Sequence, residues 1–272
     1  MTTNYAGTTW VITGASTGIG FGLSKKLLEL GATVWMSSLT PANIAAAGEK
    51  LAAYGDRIHT EVLDVRDAVA VTAYVERVAA QGRIDYLVNN AGVALKAPFG
   101  TITEADWKYV MNTNLGGVIN GTTAVYPVMV QQGGGTIINV GSVAGIAPLP
   151  YYQVYCASKY AIVGFSESLR YELAAQNIRV AVVCPGAVDT QIFKRGPDYI
   201  VDEHMPAPPE AISPERAAEE ILDGLDKYPG IIPITDFARD IYQWNRSNPA
   251  KVDEMMRFMT LQAERAERDK AK

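Results

Sequence analysis

Cysteine and histidine are scarce in this chain: Cys156, Cys184, His59 and His204 are all that its 272 residues hold. Two thiols cannot build a disulfide scaffold. Both fall inside expected secondary structure and look buried, so free thiols in a reducing compartment are the simple reading. The two histidines stand far apart without the spacing of a ligand set, so no metal is expected. Basic charge is also in deficit, with 24 Lys and Arg against 29 Asp and Glu, a net charge of −5 and a pI near 5.2. That balance offers no field for a polyanion, and nucleic acid is not an expected partner. No stretch reaches the roughly 18 apolar residues that cross a bilayer. The opening MTTNYAGTTW has no basic segment and no apolar core, so it is not a secretory signal. A soluble, cytoplasmic protein is the expectation.

What is present is an ordinary globular composition, 48% apolar and 19% charged, enough for one large domain with a substantial core. Apolar spacing predicts strand and helix in alternation. Strands are expected at Thr9–Thr13, Thr33–Ser37, Ile58–Leu63, Ile84–Asn89, Thr136–Val140 and Arg179–Val183. Between them the spacing predicts helices over Gly18–Leu30, Pro41–Tyr54 (N-cap Thr40), Ala68–Gln81, Glu104–Gln132 (interrupted near Pro127) and Tyr152–Gln176. Continuous β-branched runs such as Val180–Val183 suit strands covered on both faces. The fold class is therefore α/β, a Rossmann-type, doubly wound parallel sheet in a single domain spanning 1–272. From Gln191 to Pro214 the chain carries five prolines and little periodicity, which marks a long lid or substrate loop at about 190–214. A helix then runs from Ser213-Pro214-Glu215 to about Lys227, and a helical extension fills about 236–272.

Two motifs carry chemistry. Thr13-Gly14-Ala15-Ser16-Thr17-Gly18-Ile19-Gly20 lies between the first strand and first helix, where glycines admit a pyrophosphate to backbone amides at a helix N-terminus. Its plain alternative is a tight turn packed for its own sake. Tyr155 and Lys159, four apart on a helix, share one face. A cation beside a phenol favours phenolate, so Tyr155 is expected to titrate below its usual value of about 10. Alone, such a pair is equally a solvated helix edge.

With further elements in order, the chain resembles the short-chain dehydrogenase/reductase family over roughly Thr9 to Thr190. The resemblance rests on the glycine motif, Asp64, Asn89-Asn90-Ala91-Gly92, Asn114, Ser142, Tyr155, Lys159 and Pro185-Gly186, with Ser142 thirteen residues before Tyr155. It implies an NAD(P)-dependent oxidoreductase interconverting an alcohol with its ketone or aldehyde. On that resemblance, Gly14, Ser16, Thr17, Gly18, Ile19 and Gly20 line the pyrophosphate. Ser38 and Leu39 meet the adenosine ribose, and Asp64 with Val65 meets the adenine. Asn90, Ala91 and Gly92 pass beside the cofactor, Lys159 holds the nicotinamide ribose, Pro185 and Gly186 face the nicotinamide, and Val188 and Thr190 fix its carboxamide. Tyr155 is the acid/base, Ser142 a hydrogen-bond donor to the substrate oxygen, and Asn114 holds a water against Lys159.

Two departures from the family pattern stand out. The end of the second strand carries Ser38 where NAD-preferring members have an acid, and Leu39 and Thr17 where NADP-preferring members have a base. Ser37, Ser38 and Thr40 beside a helix start are able to hydrogen-bond a 2′-phosphate, so the balance falls to NADP over NAD. The C-terminus reads Gly230-Ile231-Ile232-Pro233 and then helices, in place of the strand that closes the family's tetramer. A homodimer through the helices around Asn114 and Tyr155 is expected, a homotetramer being the alternative. The substrate side is apolar: Val143, Ala144, Ile146, Leu149, Tyr152, Val188, Ile192 and Phe193, with Val93 and Leu95 opposite. Such a pocket suits a steroid, terpenoid, aryl or acyl ketone more than a sugar. Arg195 and His204 are candidates to meet a remote carboxylate, or are simply solvated. Two other classes are compatible with parts of the sequence: a non-catalytic dinucleotide-binding redox sensor, and a peripheral membrane protein using the Ile231–Met259 segment, whose acids disfavour anionic lipid.

Overall fold

A computed structural model describes residues 4–192, 208–227 and 230–270. Seven strands form one sheet: β1 (Thr9–Thr13), β2 (Thr33–Ser38), β3 (Ile58–Val62), β4 (Tyr86–Asn89), β5 (Gly135–Val140), β6 (Ile178–Pro185) and β7 (Ile231–Ile234). All neighbours pair in parallel, in the order β3-β2-β1-β4-β5-β6-β7. This is the doubly wound α/β architecture expected. The order reverses between β1 and β4, where such sheets open a crevice at the carboxyl ends of the strands.

Helices α1 (Gly18–Glu29), α2 (Pro41–Lys50) and α7 (Pro214–Lys227) cover one face. Their Leu23, Leu27, Ile44 and Ile221 pack with Trp10, Val34 and Ile138 from the sheet. Helices α3 (Ala68–Ala79), α5 (Gly117–Gln131) and α6 (Gln153–Glu172) cover the other. There Val71, Tyr74, Val125 and Met129 meet Val11, Leu87 and Val180. Helices α8 (Asp236–Ser247) and α9 (Pro249–Lys270) close the end beside β7. Alternate residues of the central strands enter opposite clusters, as a sheet buried on both faces requires.

The structure corrects several boundaries. The edge strand β7 was not expected, since it is four residues long and carries Pro233. Its pairing with β6, from Val182↔Ile231 to Pro185↔Ile234, leaves that proline on an edge strand, where proline is tolerated. The expected helix Glu104–Gln132 is broken elsewhere than at Pro127. Helix α4 (Glu104–Met111) runs into a π-helical turn at Asn112–Gly116, and Pro127 sits inside α5. Thr123, four residues before Pro127, and Pro127 itself are exposed, so the proline lies on the outer side of the helix. The helix from Pro41 stops at Lys50 and tightens into a 3-10 segment at Ala52–Arg57. Cys156 is only partly buried, while Cys184 is buried; both are free.

Candidate active site

The crevice is a cleft of about 930 Å³. That lies at the upper end for a single small-ligand pocket, and suits a dinucleotide together with a substrate. One arm is built by the turn from β1 into α1. Gly14 and Gly18 have φ of +63° and +57°, which a side chain resists. A Cβ on Gly14 would stand 2.7 Å from the Ala91 Cα, and one on Gly18 would stand 2.8 Å from the Thr190 Cγ2. Thr17 caps α1 by position but makes no side-chain cap bond, and the first turn holds no acid. The amides of this helix start are thus left for an anion. These features fit a pyrophosphate.

The glycine turn is held from behind. The Asn90 side chain donates to the Thr13 and Gly14 carbonyls, both at 2.9 Å, and the Thr13 hydroxyl accepts from the Asn90 and Ala91 amides at 3.0 and 3.1 Å. Gly20 does not line the cleft; it packs against the Asn90 amide. At the end of β2, Ser38 shares a 2.9 Å hydrogen bond with Ser16. Leu39, Thr40 and Asn43 continue that wall. Ser37, expected beside a phosphate, is fully buried and outside the cleft. Asp64 and Val65 line the cleft after β3, with Asp64 held by a forked pair to Arg66 that keeps its carboxyl below the usual range. Ile19, Ala91, Gly92, Pro185, Gly186, Val188 and Thr190 also line it.

The other arm holds the chemistry. Ser142 follows β5 and accepts a 3.1 Å hydrogen bond from the Ala144 amide, which leaves its own proton free to be donated. Tyr155 and Lys159 reach the cleft from α6, the ammonium 5.5 Å from the phenol ring centre. Lys159 donates to the Val140 carbonyl at 2.8 Å and is almost wholly buried, which lowers its pKa to about 8. Burial also raises Tyr155, with a hydrogen bond to Ser142 as the opposing pull. The expectation of a phenol titrating below 10 is thereby corrected: loss of water around the hydroxyl outweighs the hydrogen bond with Ser142.

Asn114 lies behind this wall, not in it. Its amide accepts from the Val93 nitrogen at 2.8 Å and donates to the Val93 carbonyl and the Ser158 hydroxyl, both at 2.9 Å. Ser158 in turn donates to the Tyr155 carbonyl at 2.7 Å. Asn114 therefore ties β4's loop to the helix carrying Tyr155, and the π turn is what swings it inward. The same turn places Thr113 on the cleft with its buried hydroxyl unpartnered, a residue that sequence reasoning missed and that no composition signal marks.

On the substrate side Tyr152 meets Tyr155 edge to face, 6.1 Å between ring centres. Val93, Val143, Leu149, Val188 and Ile192 line this side, while Ala144, Ile146 and Leu95 are buried behind it. The ends of the 190–214 loop are pinned by a bridge between Val188 and Ile212, with Asp189 donating to Ile212 at 2.9 Å. Phe193, Arg195 and His204 lie outside the described residues. Phe237, Met255, Phe258 and Met259 were not expected here and complete the wall. Among the described residues no cluster of metal ligands occurs, and no helix is long and apolar enough to cross a membrane.

The family model for short chain dehydrogenases matches residues 8–198. The chain belongs to the short-chain dehydrogenase family. It is 36% identical over 215 residues to the "3-oxoacyl-[acyl-carrier-protein] reductase FabG" of Thermotoga maritima, covering 78% of this chain and 87% of that protein. It is 34% identical over 265 residues to the "Probable oxidoreductase EphD" of Mycobacterium tuberculosis, covering 90% of this chain but only 44% of that longer protein. A solved short chain dehydrogenase from Burkholderia cenocepacia, in complex with NADP, matches with a TM-score of 0.79 at 26% identity, over 93% of this chain and 99% of that one. Another from Burkholderia phymatum, in complex with NAD, matches with a TM-score of 0.80 at 23% identity, over 91% and 96%, and shares the fold. Of these two solved neighbours, one holds NADP and the other NAD.

Proposed function

We propose that the enzyme interconverts an apolar ketone and its alcohol with NADP or NAD, and that Tyr155 moves the proton. The observation that carries this reading is the meeting of Tyr155, Ser142 and Lys159 on one wall of the cleft whose other arm is the Gly14–Gly18 anion turn. Gly14, Ser16, Thr17, Gly18, Ile19, Asp64, Val65, Asn90, Ala91, Pro185, Gly186, Val188 and Thr190 would hold the dinucleotide, with Ser38 and Leu39 beside its ribose. The dinucleotide, when bound, supplies or accepts hydride.

This chain's residues then handle charge. A carbonyl that gains hydride becomes an alkoxide, and Ser142 donates a hydrogen bond to that oxygen while Tyr155 gives it a proton. Because burial raises the Tyr155 pKa, the phenol is protonated at neutral pH, the state that reduction needs. Lys159, with a pKa near 8, is still largely ammonium there and would donate to a ribose hydroxyl of the bound dinucleotide. Oxidation requires the phenolate and so gains from alkaline pH. Neither an acid nor a base stands at Ser38 and Leu39, which supports use of both cofactors with a lean to NADP. Exposed Ile119, Tyr126 and Val130 on α5 and Tyr160 on α6 support the expected homodimer.

The test is a panel of apolar ketones and alcohols followed at the nicotinamide absorbance with each cofactor. Turnover of apolar ketones with NADPH or NADH is the expected result. Indifference to every member with both cofactors would overturn the reading.

A further inference from the structure

The far end of the cleft is closed by the C-terminal helix. Along α9, Val252 and Met256 are buried against the α8 cluster and anchor the helix. The adjoining stripe, Met255, Phe258 and Met259, instead lines the cleft, where Phe237 from α8 joins it. Residues three and four apart on a helix share a face, so this stripe is one continuous surface. Phe258 is 60% exposed, on a helix whose outward Asp253, Glu254 and Arg257 are ordinary surface charges. Phe258 is not isolated: with Met255, Met259 and Phe237 it forms a contiguous apolar surface along the cleft, the kind of patch that marks a ligand-binding groove. Tyr152, Leu149 and Tyr155 line the same cleft, so a molecule whose carbonyl meets Tyr155 has this stripe within the same cavity. Two methionines make the wall adaptable rather than tightly shaped.

We infer that α9 is the specificity element of this enzyme: Met255, Phe258 and Met259 receive an extended apolar body that projects from the reacting carbonyl, so the substrate class is ketones or alcohols with a long or bulky apolar substituent. This rests on the alcohol–ketone reading above and goes beyond it in naming where and how size is selected.

Reduction of 2-butanone and 2-decanone by the full-length enzyme is compared with that by Phe258→Ala and Met255→Ala, each first checked for an unchanged melting temperature. The wild type should favour 2-decanone in kcat/KM, and each variant should lower that preference about tenfold, through KM for the long ketone. A wild type indifferent to chain length, or variants in which both ketones fall in proportion, would overturn the inference. If neither ketone turns over, the alcohol–ketone reading is what has failed. Calorimetric titration of 1-decanol into the enzyme with NADP present then decides about α9. About tenfold weaker binding by Phe258→Ala sustains its role, and equal binding overturns it.

Discussion

Lys159 offers a stability experiment whose size follows from its burial. The folded protein lowers its pKa from 10.5 to about 8, because the ammonium is held away from water with the Val140 carbonyl as its hydrogen-bond acceptor. Charging it costs the native state but not the unfolded chain. Between pH 8 and 10.5 the unfolded state therefore binds more protons, and stability rises with pH across that window. The full difference corresponds to about 3 kcal/mol. Between pH 7 and pH 9.5 about 2 kcal/mol of it should be recovered. For a chain of this size that is about 4 °C in melting temperature. Lys159→Met removes the titrating group. The measurement is the melting temperature of ligand-free wild type minus that of Lys159→Met across this range. It should rise by about 4 °C toward pH 9.5. A flat difference would refute the reasoning and would mean that Lys159 keeps an ordinary pKa in the folded protein.

Cofactor choice turns on the end of β2: Leu39→Arg should raise preference for NADP, and Ser38→Asp should shift it toward NAD, read as kcat/KM for both cofactors in all three proteins. Unchanged preference in Ser38→Asp would place the determinant elsewhere on that wall, with Asn43 the next to test. Gly18→Ala should add about 1–2 kcal/mol of backbone strain and push against Thr190, weakening NADPH binding measured by fluorescence; undiminished affinity would contradict the close approach assigned to this turn. Asn114→Ala leaves the Val93 amide and carbonyl without their partner, and urea denaturation should show a loss of about 2–4 kcal/mol; a loss below about 0.5 kcal/mol would mean that the asparagine does not brace the Tyr155 helix.

The fold was legible because its signals are local and repeated: a β-branched run, a turn, an amphipathic helix, over and over. What escaped was set by tertiary context. Strand β7 is a four-residue segment with a proline, and only the free edge of β6 makes it a strand. The π turn carries no proline and only Gly116, which a helical run tolerates, whereas Pro127, which does look like a breaker, sits inside α5. Within the site, the motif residues Ser16, Asp64, Ser142, Tyr155 and Lys159 line the cleft. Gly20 packs against Asn90, and Asn114 grips Val93 and Ser158, contacts that only the tertiary arrangement reveals. In sequence the Ile231–Met259 segment reads as apolar and fits a membrane face, core packing or contact with the lid, whereas Met255, Phe258 and Met259 line the cleft. Periodicity alone does not choose among these, because all ask for the same spacing.

Central to the account is that the buried Tyr155 hydroxyl carries the proton. Tyr155→Phe keeps the ring and its contact with Tyr152 while removing that hydroxyl alone. Turnover of the best ketone in the panel should fall by about a hundredfold or more, with NADPH affinity retained. Near-normal turnover by this variant would contradict the mechanism.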